Sequence, residues 1–283
     1  MCTWVRSFRP LLAVLFAASL LGACAHPPAA DADALASAMR SRPIVLLGEV
    51  HDNATQHALR AQALRQLLES GARPALLMEQ FDRERQPDLD RALARPAVTP
   101  DDVIAAATPA SRAMQGWFWP FYAPYLALAI EYRLPVIAAN VSRDDARRVL
   151  RDGLPALGFD ADVPADIGAA QGRAIVDSHC GMIDAPQAAR MVNAQVARDQ
   201  FMARAIEAHA ARGAVLIAGN GHVRRDVGVP RWLGAETRKR SVSIGLLEPG
   251  DPSASAFDIA FTTPAPPDRG DPCAAMRAPT PRR

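Results

Sequence analysis

The chain has 283 residues, and its 32 basic and 30 acidic residues give a formal net charge of +2 at pH 7. The basic residues are dispersed among the acidic ones rather than gathered into a patch, so we expect no nucleic-acid partner. The part of the chain that follows the N-terminal region is long enough for one large α/β domain.

Residues 1–23 have the pattern of a signal peptide. Two arginines precede an apolar stretch that is too short to span a bilayer as a mature helix. Small residues then lead to Cys24, an arrangement that resembles the lipobox of bacterial lipoproteins. We expect Cys24 to be lipidated; an ordinary secretory signal peptide is the alternative. Ala25, rather than aspartate, indicates the outer membrane, with the protein on its periplasmic face. Residues 24–40 are predicted to form a tether.

Short aliphatic runs alternate with helical patterns between residues 41 and 263. Four of the runs predict buried parallel strands, at residues 44–47, 74–79, 134–139 and 214–218. Apolar spacing predicts helices at residues 54–70, twice within 87–108, and at 121–132, 142–150 and 187–212. We expect residues 152–170 to be irregular, residues 241–247 and 254–261 to be edge strands, with an antiparallel orientation left open, and residues 264–283 to be an irregular tail.

This alternation predicts an α/β fold of three layers. Helices flank a mostly parallel sheet, and one or two edge strands follow near the C-terminus.

Two Gly-x-x-H elements follow the first and fourth predicted strands. They are Gly48 to His51 and Gly219 to His222. A glycine allows the chain to turn sharply, so the polar residues lie just beyond the carboxyl end of each strand. In open α/β sheets this edge is where ligands bind. We expect the two histidines to share a cleft; the alternative is that each histidine only caps its own turn.

Polar residues close all four predicted strands, which indicates a common cleft. They are Glu49 and His51, Glu79, Asn140, and Asn220 and His222. Histidines and carboxylates together could hold a divalent metal. They could also carry out general acid–base chemistry, or hydrogen-bond the carboxylates of a bound ligand. The residue types leave these three alternatives open.

A second feature is the concentration of aromatic residues between positions 117 and 132, which contain seven of the sixteen in the chain. The segment could form core, an interface, or a flat apolar platform for a planar ligand. A tyrosine in it could serve as an axial ligand of ferric haem. A cationic neighbour would lower the pKa of such a phenol, and Arg112 and Arg133 are the nearest candidates in sequence.

Other residues have weaker indications of a role. His57 could face back to the cleft from the following helix, whereas Gln195, Arg198 and Asp199 are predicted helix-face contacts. Cys180 and Cys273 remain once the N-terminal cysteines are set aside. In an oxidising compartment such a pair is a disulfide candidate, with two unpaired thiols as the alternative.

The chain resembles the ChaN-like haem-binding lipoproteins of the haem-binding uptake, Tiki superfamily. The motifs that carry the resemblance are Leu47-Gly48-Glu49-Val50-His51-Asp52-Asn53 with His57, Trp119-Pro120-Phe121-Tyr122, Leu134 to Asn140, His179-Cys180-Gly181-Met182, Ala194 to Asp199, Gly219 to His222, Gly228 to Leu233 and Asp271-Pro272-Cys273. The motifs cover roughly residues 40 to 275 in the same order as in the family.

The resemblance implies a lipoprotein that binds haem for iron uptake or storage through a tyrosine, with two copies holding a pair of stacked haems. It makes Tyr122 the first candidate for the iron ligand and Tyr125 the second. We expect haem binding without catalysis, and an enzymatic role stays open because the wider superfamily includes proteins with Gly-x-x-H and Glu elements proposed for hydrolysis. The alternative function is a periplasmic metal-dependent hydrolase of protease or esterase type that uses Glu49, His51, Glu79 and His222; a third is an interaction protein with a vestigial site.

Overall fold

The computed structural model describes residues 27–108, 116–271 and 273–274. Its sheet has six strands, all parallel, in the order β3-β2-β4-β1-β5-β6. The strands are β1 Ile44–Leu47, β2 Ala75–Asp82, β3 Val136–Asn140, β4 Ala214–Ile217, β5 Ser241–Leu247 and β6 Ile259–Thr262. The predicted α/β class with a parallel sheet is confirmed.

The helices lie on both faces of this sheet. They are α1 Ala32–Met39, α2 Ala54–Glu69, α3 Gln86–Leu93, α4 Pro100–Ala107, α5 Ala123–Glu131, α6 Arg143–Asp152, α7 Ala165–Ser178, α8 Ala185–His209, α9 Asn220–Val223 and α10 Ala235–Lys239. Alternate residues of each strand face opposite sides, so Val45 and Leu47 pack in the core with α1, α2 and α5, whereas Ile44 and Leu46 pack with α8. Three layers result.

The two C-terminal strands differ from the expectation. β5 is an interior strand that pairs with β1 on one side and β6 on the other, and both pairings are parallel. Of these two strands, β6 is the one at an edge of the sheet, and it begins at Ile259, after a 3₁₀ turn at residues 252–256. The antiparallel option was therefore wrong, since strand orientation is set by the tertiary path between strands, which a local pattern does not encode.

The tether predicted at residues 24–40 ends earlier than expected. Within it, α1 packs in the core, with Leu35 and Met39 fully buried. Asp31 caps this helix by accepting a hydrogen bond from the backbone N–H of Ala34 at 2.7 Å. Before it, Ala29 forms a parallel bridge with Thr262 on the edge strand. The predicted signal peptide and Cys24 lie outside the described residues.

Residues 152–170, which we predicted to be irregular, include the beginning of a further helix. α7 begins after Pro164 and runs to Ser178. Its glycines and few large apolar residues weaken the helical pattern in the sequence, although Ile167 and Ile175 are buried. Among the residues that the structure describes, no helix is both long and apolar enough to cross a membrane.

Candidate functional site

The strand register brings the predicted polar residues to one edge of the sheet. Leu47 of β1 and Met78 of β2 both pair with Ile217 of β4, so these three residues lie at the same height; β1 and β4 end there, whereas β2 continues to Asp82. Glu79, the next residue of β2, accepts a hydrogen bond from the backbone N–H of Gly219 at 2.8 Å. The two Gly-x-x-H turns are therefore neighbours.

Gly48 and Gly219 permit close approaches that a side chain would block. A Cβ atom on Gly48 would lie 2.2 Å from Oδ1 of Asn220, and one on Gly219 would lie 2.9 Å from the ring of His51. Asn220, which we expected in the cleft, instead bonds to β5: its Nδ2 donates to the carbonyl oxygen of Leu246 at 2.6 Å. Its role is to fasten the second turn to the sheet.

Glu49 is a fully buried carboxylate with four polar neighbours. Oε1 accepts a hydrogen bond from the hydroxyl of Tyr122 at 2.6 Å and contacts Nδ1 of His51 at 2.8 Å. Oε2 forms an ion pair with Arg60 and lies 3.6 Å from Nδ1 of His57. Because a carboxylate only accepts, Nδ1 of His51 is the donor in this contact, and Nε2 is not bonded to Glu49.

Arg60 is the site residue that the sequence analysis missed. It is fully buried on α2 and lies on the same helix face as Ala63, Leu64 and Leu67. A charged residue at this position of an apolar helix face is the signal that could have revealed it, because a buried charge needs a partner.

Neither candidate tyrosine presents its hydroxyl to the cleft. Tyr122 and Tyr125 are both fully buried, and the hydroxyl of Tyr125 donates to the backbone carbonyl of His57 at 3.1 Å. Burial raises the pKa of both phenols, an effect that Arg60 opposes only in part. The cation beside them is therefore Arg60 rather than Arg133, while Arg112 lies outside the described residues. In this arrangement neither phenol is placed to bind iron.

His222 lies between two carboxylates on the other side of the cleft. Its Nδ1 contacts Asp199 of α8 at 2.6 Å, and its Nε2 lies 3.4 Å from Glu79. Burial lowers the pKa of His222, but the charges of Glu79 and Asp199 outweigh burial and raise it to about 10. Burial likewise raises the pKa of Glu79, and the charge of His222 reverses this, with a net lowering. Asp199 is thus a site residue and not only a helix-face contact.

The cleft between these groups has a volume of about 740 Å³. The exposed fraction of the His51 side chain is 49%, and its ring meets the edge of Trp117 with the centroids 4.9 Å apart. The cleft is lined by His51, Glu79, Trp117, Trp119, Asn140, Arg143, Gln195, Arg198 and His222, together with other polar residues. The volume lies in the range of small-molecule sites.

The divalent-metal alternative is not supported. Within residues 27–108, 116–271 and 273–274, no group of three or more histidine, cysteine, aspartate or glutamate side chains is arranged to hold a metal ion. The nitrogens and carboxylates of the cleft instead pair with one another.

The sequence matches the family described as haem-binding uptake, Tiki superfamily, ChaN over residues 35–233. The fold and the site of this chain are those of an α/β protein with a parallel sheet and a cleft at its carboxyl edge. The chain belongs to this family. Comparison with curated proteins gives no match.

Solved structures share the fold. The chain is similar to ChaN of Campylobacter jejuni, whose structure is described as showing cofacial heme binding, with 18% identity, a TM-score of 0.67, and coverage of 81% of this chain and 90% of the other. It is also similar to the type III effector HopBA1, with 15% identity, a TM-score of 0.50, and coverage of 84% and 96%. At these identities the likeness establishes the fold.

The environments of His57 and His222 shift their pKa values in opposite directions. Burial lowers the pKa of His57 from 6.5 to about 4, whereas that of His222 is raised to about 10. The stabilisation from His222 is fully present below pH 6.5 and is lost as the pH rises towards about 10. The contribution of neutral His57 is present above pH 6.5 and is lost as the pH falls towards about 4.

Ring-nitrogen NMR of the full chain measures both effects. Between about pH 5 and pH 8, where an ordinary histidine titrates, we expect His57 to remain neutral and His222 to remain protonated. A midpoint near pH 6.5 for either ring would contradict the burial and the ion pairs described above.

Proposed function

We propose that this protein binds haem for iron uptake or storage, in the cleft between the two Gly-x-x-H turns. The observation that carries the proposal is the half-exposed imidazole of His51, whose Nδ1 contacts the buried Glu49 and whose Nε2 is left for a ligand in the cleft. A histidine held by a carboxylate through one nitrogen is the usual arrangement of a metal-binding imidazole. Membership of the haem-binding uptake family supports the same ligand.

The cleft offers groups that match the parts of haem. The indoles of Trp117 and Trp119 form an apolar wall of the cleft, against which the flat macrocycle would pack. Arg143 and Arg198 also line the cleft, and guanidinium groups suit the two propionate carboxylates. Bound haem would supply the iron that the proposed uptake delivers. The disulfide between Cys180 and Cys273 is consistent with an oxidising compartment, so we take ferric haem as the ligand.

We assign the iron ligand to His51 and not to a tyrosine. The expected ligand Tyr122 is fully buried, and its hydroxyl donates a hydrogen bond to Glu49. To bind iron, Tyr122 would have to break that bond and lose a proton in a site where burial raises its pKa. Its role in the proposal is to hold Glu49, and through it the ring of His51.

We also propose that haem joins two copies of the chain. Phe118, between two cleft-lining indoles in the sequence, is 60% exposed. In the proposed dimer this phenylalanine packs against the second copy. The cofacial heme described for the Campylobacter jejuni protein is in keeping with this arrangement.

The proposed location is the periplasmic face of the outer membrane, with a lipid on Cys24. The structure supports a short connection, since Pro28 already accepts a hydrogen bond from the backbone N–H of Thr262 at 2.8 Å. Labelled palmitate should enter the chain in cells and should not enter the Cys24→Ser variant. Equal labelling of the two would contradict lipidation at this residue.

Titration with ferric haem, followed by absorbance, tests the ligand assignment. We expect saturable binding to the full chain and a loss of affinity of about tenfold or more in His51→Ala, equivalent to about 1.4 kcal/mol. The matched variant Tyr122→Phe keeps the aromatic ring and should bind haem with a smaller loss. Light scattering should show a dimer that forms only with haem.

Two outcomes would contradict parts of this proposal. Loss of the haem spectrum in Tyr122→Phe but not in His51→Ala would return the assignment to tyrosine. The absence of saturable binding to the unmodified chain would exclude the cleft as a haem site.

A hydrolase is the second candidate, and the environment of His222 favours it. An imidazole protonated between Glu79 and Asp199 could donate a proton to the leaving oxygen of an ester, while Nε2 of His51 takes a proton from the attacking water. The products would be an acid and an alcohol. Release of p-nitrophenolate from p-nitrophenyl acetate should then require both histidines. Release at the rate of buffer would contradict hydrolysis of this ester class.

A further inference from the structure

The C-terminal tail segment, residues 264–271, lies against the turn that carries His51. It follows β6, and beyond it Cys273 forms a disulfide with Cys180, with the two Cα atoms 5.5 Å apart. Cys180 belongs to the turn between α7 and α8, the helix that carries Asp199. The tail segment therefore connects the edge strand with the His222 side of the molecule.

Arg269 of this segment binds two carboxylates at once. Its Nε donates to Oδ2 of Asp52 at 2.7 Å, and its Nη2 also contacts Asp52. Its Nη2 donates to Oε1 of Glu248 at 2.9 Å, and its Nη1 donates to Oε2 of the same residue. Asp52 immediately follows His51, and Glu248 immediately follows β5. The planar guanidinium thus links the His51 turn to the end of an interior strand.

Hydrogen bonds from Asn53 and Gln56 fix the rest of the turn. Nδ2 of Asn53 donates to Glu248 at 2.8 Å and to the carbonyl oxygen of Pro264 at 2.9 Å. Nε2 of Gln56 donates to the hydroxyl of Thr263 at 2.8 Å, while its Oε1 accepts from the backbone N–H of Val50 at 2.7 Å. Among the residues that the structure describes, Arg269 is the one that forms an ion pair with Asp52, next to the imidazole.

We propose that Arg269 is a positioning residue that fixes His51 in the cleft through Asp52. Its side chain is 27% exposed, and its partner Glu248 is 16% exposed, so this ion pair is partly shielded from solvent. Asp52 is 60% exposed, and its link to Arg269 depends on the two-bond geometry of the guanidinium.

The tail segment is held at its start by the bond from Asn53 to Pro264 and beyond its end by the disulfide of Cys273. The expected effect of Arg269 on haem affinity rests on the proposed function, whereas its expected effect on the orientation of His51 does not.

The test compares the full chain with Arg269→Gln and Arg269→Lys, and uses Arg65→Gln as the matched control. Arg65 forms a similar two-bond pair with Glu131, at 3.1 Å for each bond, on exposed helix surface. The ring-nitrogen NMR signals of His51 are recorded without ligand, and ferric haem affinity is then measured by absorbance. The signals of His222, which lies across the cleft between Glu79 and Asp199, report whether each variant keeps the native fold.

We expect Arg269→Gln to shift the His51 signals and to weaken haem binding by about tenfold, while the signals of His222 stay in place. Arg269→Lys retains the charge without the planar fork, so its His51 signals should lie between those of the other two proteins. Arg65→Gln should change neither readout.

Unshifted His51 signals in folded Arg269→Gln would overturn the positioning role. If Arg269→Gln does not fold, Arg269→Lys decides, and His51 signals identical to those of the unmodified chain would overturn the role. If the unmodified chain does not bind haem, the proposed function fails, and the NMR signals alone then decide the role of Arg269.

Discussion

The buried carboxylate of Glu49 is the constraint on which the site depends. A charge without solvent is costly, and removing one partner of a buried ion pair typically costs about 3–5 kcal/mol because the other charge is left uncompensated. Arg60 supplies the compensating charge from α2, and Tyr122 supplies a hydrogen bond from the aromatic segment. Three separate parts of the chain are thereby fixed around one side chain at the end of β1. His51 is the half-exposed member of this group.

This arrangement divides the aromatic segment by function. Tyr122 and Tyr125 belong to the interior, where they surround Arg60 and Glu49, whereas Trp117 faces the cleft. The aromatic segment therefore contributes part of the cleft wall through Trp117, and its two tyrosines pack around Arg60 and Glu49 in the interior. Across the cleft, Glu79 connects the two Gly-x-x-H turns, since it accepts from Gly219 and lies beside His222. In the cleft, the imidazole of His51 contacts one carboxylate, that of Glu49, whereas the imidazole of His222 lies between two. This difference favours His51 as the ligand-binding residue.

The sequence was sufficient to predict the parallel sheet and a cleft at its carboxyl edge, because short aliphatic runs and glycine turns are local signals. It was not sufficient for Asn220, whose amide could have faced either the cleft or β5, or for the orientation of β6, which depends on the path of the chain. From the sequence we also expected a tyrosine at the ligand, because an aromatic cluster has the same sequence pattern whether its side chains are buried or exposed. Arg60 was missed because its partner, Glu49, lies in another element. Such pairings are tertiary information.

The central claim is that Glu49 presents His51, rather than a tyrosine, to a haem in the cleft. A crystal structure of the full chain with ferric haem tests it most directly. We predict iron bonded to Nε2 of His51, the macrocycle against Trp117, and the hydrogen bond between Tyr122 and Glu49 retained. Iron bonded to the oxygen of Tyr122 or Tyr125, or haem bound outside this cleft, would contradict the claim.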